Sequence, residues 1–226
     1  MDLNQNITRI KAVYNAFAEL KDQVVFVGGA TVSLYADRDV LEPRPTDDID
    51  VIVEIASYVD RSILEEKLRL LGFSHDVESG IICRYKVQGL VVDIMPTNDP
   101  SIGFTNLWYE EGFKNSISHK IDDQHNIRIL TGPYFLATKL EAFKNRGNKD
   151  GRTSQDFEDI VFVLEHRSSL ISEMHQSNPE LGKYLIHEFK TMMENPHIFE
   201  WIDSHTERGR TKGTQRIMDS LASFIQ

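Results

Sequence analysis

Cysteine is almost missing: Cys83 stands alone among 226 residues, so no internal disulfide can staple the fold. Its apolar neighbours make it an expected buried, structural thiol. Long apolar runs are missing too. No stretch approaches the roughly 18 to 20 residues that span a bilayer. The first residues, MDLNQNITRIKAVY, lack a basic start followed by an apolar core, so no signal peptide is expected. These absences weigh against a membrane-spanning helix and suit the cytoplasm. Positive charge is scarce: 25 Lys and Arg face 35 Asp and Glu, for a formal net charge of −10. That weighs against a protein that coats nucleic acid through a broad basic face. It leaves room for a local basic patch, of which GRTKGT at 209–214 with Arg216 is a small example. An excess of aspartate also suits a site that gathers metal ions.

Familiar catalytic signatures are absent as well. The eight histidines show no HExxH or Cys/His zinc spacing. There is no G-x-S-x-G elbow and no P-loop. There is no internal repeat and no low-complexity tract.

What is present is an ordinary globular composition, 40% apolar and 27% charged, enough for one large domain or two small ones. Ile10, Val13, Tyr14 and Phe17 predict a helix over 7–20. VVFV, Val24 to Val27, predicts a buried strand. Gly28 and Gly29 close it, and a short helix from Ala30 to Tyr35 should follow. After the loop LEPRPT comes the strand DDIDVIVEI. Asp60 is expected to cap a helix with Ile63, Leu64, Leu68 and Leu71 on its core face and Gly72 as its stop. IICRYKV and LVVDIM predict paired strands around a Gln88-Gly89 turn, and NIRIL one more. From Pro133, suited to a first helical position, everything reads as helix: PYFLATKLEAF, then SQDFEDIVFVLEH with Phe157, Ile160, Val161 and Leu164 inward. The expected fold is α+β, a mixed-sheet part over 1–131 followed by a helical part over 132–226.

Two features carry chemistry. Side chains alternate along a strand, so Asp48 and Asp50 face one way, about 6 to 7 Å apart. Two carboxylates so placed can share hard cations such as Mg²⁺. Without a cation they repel, and strands disfavour aspartate. The alternative is a strand that starts at a loop, with Asp48 in a turn and Asp50 facing solvent. Gly28 and Gly29, between a strand and a helix, form a turn whose N–H groups can approach a phosphate. Asp93 is a third lone carboxylate inside an apolar strand.

FVGGATVSLY, RPTDDIDVIVE and LVVDIMP together resemble the nucleotidyltransferase superfamily whose minimal catalytic unit is shared with DNA polymerase β. Arg44-x-Thr46 before the acids, and FLATKLEAFKNRGNKDGRTSQDFEDIVFVL, look like the AbiEii-like bacterial toxin nucleotidyltransferases. The likeness covers roughly residues 24–165; the remainder carries no motif of that kind. It implies that Asp48 and Asp50 ligate Mg²⁺ (or Mn²⁺), and that Asp93 ligates the catalytic metal and helps activate the attacking hydroxyl. It also implies that Gly28, Gly29 and Ser33 contact the triphosphate of an NTP, with Arg44 and Thr46 in the nucleotide-binding set. Lys139 would reach the phosphates, and Asp156 or Asp159 would orient the site. The chain departs from the toxin pattern at Lys149-Asp150, which leaves Asp150, Asp156 and Asp159 open as the last-motif acid. On the residues alone, Lys139 reads as an exposed helix lysine, and Asp156 and Asp159 as first-turn acids after a Ser154 cap.

The function expected from the resemblance is metal-dependent transfer of NMP to an acceptor hydroxyl, at an RNA or tRNA end or on a protein. A toxin–antitoxin or phage-defence role with a cognate antitoxin is implied. The alternatives are an enzyme that modifies a small antibiotic and a non-catalytic nucleotide-binding homologue.

Overall fold

A computed structural model describes residues 5–37, 43–55, 58–98, 106–146, 150–206 and 211–226. Lys149, Leu41 and Glu42 of the LEPRPT loop, and the start of the GRTKGT patch lie outside the described residues. The chain forms two compact units, one of Met1–Thr31 with Arg44–Thr131, the other of Val32–Pro43 with Gly132–Gln226. Among the described residues no helix is long and apolar enough to cross a membrane.

The first unit is built on seven strands: β1 (Val24–Val27), β2 (Asp48–Val53), β3 (Ser74–His75), β4 (Arg84–Val87), β5 (Leu90–Pro96), β6 (Ile117–Lys120) and β7 (Asn126–Ile129). They form one mixed sheet in the order β3-β4-β5-β2-β1-β7-β6. β2 runs parallel to β5 and β1 parallel to β7; the other neighbours are antiparallel. The four β1 residues are all buried, as a central strand of β-branched and aromatic residues requires. Helices α1 (Gln5–Ala16), α2 (Tyr58–Leu70) and α3 (Tyr109–Lys114) belong to this unit. Phe17, just after α1, stacks on Phe73 with ring centroids 4.9 Å apart, one of the contacts that fill its core.

The second unit is helical: α4 (Gly132–Arg146), α5 (Gln155–His166), α6 (Leu170–Gln176), α7 (Pro179–Met193), α8 (Ile198–Asp203) and α9 (Thr211–Phe224). Phe135, Leu136, Phe157, Ile160, Leu185, Phe189 and Leu221 are fully buried within it. Each contributes on the order of 2 kcal/mol by leaving water. Tyr35 packs on Phe135, centroids 4.5 Å apart, and Asp37 accepts from the Ser168 N–H and hydroxyl at 2.6 Å each.

Several expectations need correction. The first helix ends at Ala16, and a 3-10 segment, Ala18–Gln23, takes over where Ala18 enters positive φ. The segment after the glycines is also 3-10, Gly29–Tyr35. Asp60 lies inside the first turn of α2 and does not cap it, because the helix starts at Tyr58. Ile63 is half exposed; Leu68 is the residue of that set driven fully inward. The IIC of IICRYKV is a turn rather than strand, because Gly80 reverses the chain in the left-handed region and the Arg84 N–H closes on the Ile81 carbonyl at 3.1 Å. β3, β6 and α3 were not expected; they are two to six residues long, too short for a periodic signal.

Candidate active site

β2 and β5 lie side by side in parallel, and their register pairs Asp50 with Asp93. Directly paired residues project to the same side of a sheet. Alternation then puts Asp48 on that side too, while Ile49 and Val51 are buried on the other. The three acids therefore share one face. Asp93 is the most enclosed, its side chain 12% exposed against 32% for Asp48.

The corner beside them is glycine for a physical reason. Gly28 follows β1, whose last residue pairs with Asp50 across the ladder. It has φ +73, where an L side chain is strained. A Cβ there would overlap the Asp50 carboxylate, lying 2.8 Å from its Cγ. The Thr31 hydroxyl and N–H then close the turn on the Gly28 carbonyl at 2.9 and 3.2 Å. Gly29 opens the 3-10 segment that follows, and the Ser33 hydroxyl on it is buried with no hydrogen-bond partner among the described residues.

The approach to β2 is fixed from α1. The buried Asn6 side chain donates to the Arg44 carbonyl at 3.2 Å, and its oxygen accepts from the Thr46 N–H and hydroxyl at 3.0 and 3.3 Å. Arg9 donates to the Thr46 carbonyl. The Thr46 hydroxyl donates to the Asp48 carbonyl at 2.9 Å. Thr46 is thus buried as a brace for the start of β2.

One residue of this face escaped the sequence reading. Arg84, first residue of β4, is the register partner of Asp93. Its Nε and one terminal nitrogen donate to the two Asp93 oxygens at 2.8 Å each, and that same nitrogen reaches Asp48 Oδ2 at 2.7 Å. The Asp93 hydrogen bonds raise the Arg84 pKa despite partial burial, so the guanidinium stays charged. A two-residue turn at Gln88-Gly89 forces Val87 opposite Leu90 and hence Arg84 opposite Asp93. That arithmetic was available from the sequence. Cys83, next to it, is half-buried rather than buried. Burial, with Asp93 adding repulsion, pushes its thiol up to about 11, so it remains protonated and unreactive.

A second charged cluster lies wholly within the helical unit. Lys139 on α4 is buried, not exposed as its helix context suggested. It pairs with Asp156 at 3.1 Å and Asp159 at 2.5 Å, both on α5. Burial alone would lower the Lys139 pKa, but the two carboxylates outweigh it and hold it raised. Arg146 adds two hydrogen bonds to Asp156, at 2.9 and 3.0 Å. Burial opposes ionisation of Asp156, yet Arg146 and Lys139 prevail and lower its pKa. The Ser154 oxygen accepts from the Phe157 N–H at 3.3 Å as the helix cap. Asp150 is engaged elsewhere, forking to Arg152, which also reaches Glu200 at 3.0 Å.

A family profile described as nucleotidyl transferase AbiEii toxin, type IV toxin–antitoxin system, matches residues 11–177. The chain belongs to this family. The match runs from α1 through α6 and so takes in the acidic face of the sheet and the Lys139 cluster alike. Nucleotidyl transfer is the chemistry of the family, and type IV toxin–antitoxin systems are its setting. No curated protein matches the chain significantly.

The donor set suits a hard dication, since it consists of carboxylates alone. Among the described residues no three acidic, histidine or cysteine side chains stand close enough together, as placed, to hold a metal ion. The guanidinium of Arg84 bridges two of the acids instead.

Proposed function

We propose that the chain moves a nucleotidyl group from a nucleoside triphosphate, ATP among the candidates, to a hydroxyl at an RNA end or on a protein. Mg²⁺ or Mn²⁺ held by Asp48, Asp50 and Asp93 would assist. The observation that carries this reading is the register of Asp50 with Asp93, which puts three carboxylates on one face beside a glycine corner. Bound there, divalent ions would supply neutralisation of the triphosphate and stabilisation of the attacking and leaving oxygens.

The chain's own residues supply placement. Gly28 lets the Asp50 carboxylate lie against the backbone. The Gly29 N–H suits a phosphate oxygen, and Ser33 follows it on the same 3-10 segment. Thr46 sets the start of β2 and thereby the direction of Asp48, and Arg44 stands just before it. Asp93, the most enclosed acid, is the base-side ligand that orients the incoming hydroxyl. Lys139 would reach the phosphates and Asp156 or Asp159, with which it pairs, would orient the site, with Asp150, Asp156 and Asp159 each open as the acid of the family's last motif. A cognate antitoxin and a cytoplasmic setting belong to the same reading.

Incubation with four α-labelled triphosphates, Mg²⁺ and either total RNA or a cell lysate tests this. Label should enter RNA or protein. Asp48→Asn, Asp50→Asn and Asp93→Asn should each cut labelling by about 100-fold or more, with circular dichroism unchanged. Undiminished labelling by Asp48→Asn would refute the assignment.

A further inference from the structure

We propose that Arg84 is a built-in counter-ion of the acidic face, seated between Asp48 and Asp93 in the metal-free protein and displaced when a divalent cation binds. The inference rests on the metal site proposed above and concerns what that site does before it is filled.

Three charge-assisted hydrogen bonds occupy both oxygens of Asp93 and one of Asp48. Mg²⁺ and Mn²⁺ need carboxylate oxygens in close, near-octahedral contact. One Arg84 nitrogen lies 2.7 Å from Asp48 Oδ2 and 2.8 Å from Asp93 Oδ2, in the place an ion ligated by both acids would take, so the two positive charges compete for it. A guanidinium does not give up its proton in a protein, so the competition ends only when the side chain moves. Such movement is open to it. Arg84 is the first residue of β4, preceded by a turn rather than strand, and its side chain is 22% exposed. The fork also has an evident benefit for the empty state. Three carboxylates sharing one sheet face repel one another without a cation, and Arg84 supplies one.

A purely structural tie across β2, β5 and β4 makes the opposite prediction. If Arg84 only braced the sheet, its loss would leave metal affinity unchanged or weaken it. If it competes, its loss tightens binding. The experiment is a Mn²⁺ titration of the full-length chain without nucleotide, following free Mn²⁺ by electron paramagnetic resonance. Wild type is compared with Arg84→Met, which keeps length and loses charge, and Arg84→Lys, which keeps a point charge and loses the fork. We expect Arg84→Met to lower the Mn²⁺ Kd by about tenfold, with Arg84→Lys in between. An unchanged or higher Kd for a folded Arg84→Met overturns the counter-ion role and leaves the metal site standing. No Mn²⁺ bound by either protein at millimolar concentration overturns the metal site and the inference together. A wild-type measurement covers the case in which the variants do not fold. The Arg84 Nε–H resonance should be protected from solvent without metal and lose that protection on saturation with Mg²⁺; persistence of protection overturns the proposal.

Discussion

Gly28 shows how narrowly a single position can be set. Its backbone is left-handed, φ +73, and the volume a methyl group would need is filled by the Asp50 carboxylate. Gly28→Ala should therefore cost about 1–3 kcal/mol by denaturant unfolding. It should also weaken Mn²⁺ binding, since Asp50 must turn away. Retained stability with retained metal binding would show that the corner is tolerant. Asn6 is a second such residue, remote in sequence. Its amide serves three hydrogen bonds in a site closed to water. Asn6→Ala should lose about 1–3 kcal/mol, and chemical denaturation would register it. The glycine was legible because Gly-Gly between a strand and a helix stood beside the Asp48 and Asp50 pair; alone it is an ordinary strand-end turn. The asparagine was not, because its partners lie about 40 positions away.

Among the elements, the pair α4 and α5 stands on buried charge. Lys139→Met would leave Asp156 and Asp159 enclosed without their ammonium, at a cost of about 3–5 kcal/mol. Urea unfolding at neutral pH would detect it. Acid should expose the same network from the other side. The Asp156 pKa is lowered in the fold, so its ionised form contributes stability above the ordinary carboxylate pKa of about 3.9. That contribution disappears as pH falls through the lowered value. The stability gap between wild type and Asp156→Asn should be flat above about pH 5 and shrink below about pH 4; a gap constant down to pH 2 would contradict it. Strand identity was readable wherever a β-branched and apolar run was long enough, as in VVFV and LVVDIM. The burial of Lys139 against Asp156 and Asp159 was not readable, because nothing local distinguishes a lysine that faces a neighbouring helix from one that faces water. The pairing of Arg84 with Asp93 was readable in principle and overlooked, since it follows from counting outward from a two-residue turn whose φ values are both positive.

For the molecule as a whole, net charge and ligand linkage matter more than any contact. A chain at −10 repels polyanions, so triphosphate affinity should depend on a divalent ion. Mg²⁺ and a non-hydrolysable triphosphate together should raise Tm more than the sum of their separate effects, and a shift no larger than that sum would argue against a shared site. The order of strands followed by helices was plain from periodicity. The membership of residues 32–37 in the helical unit was not, because segment assignment depends on contacts made nearly a hundred positions later. That membership has a consequence for synthesis on the ribosome. Tyr35 emerges with the first unit, yet the ring that covers it, Phe135, follows 100 residues behind. At cellular elongation rates the gap lasts on the order of ten seconds. During that time an aromatic side chain waits uncovered. A nascent chain halted at residue 131 should consequently bind chaperone or precipitate, however complete its sheet.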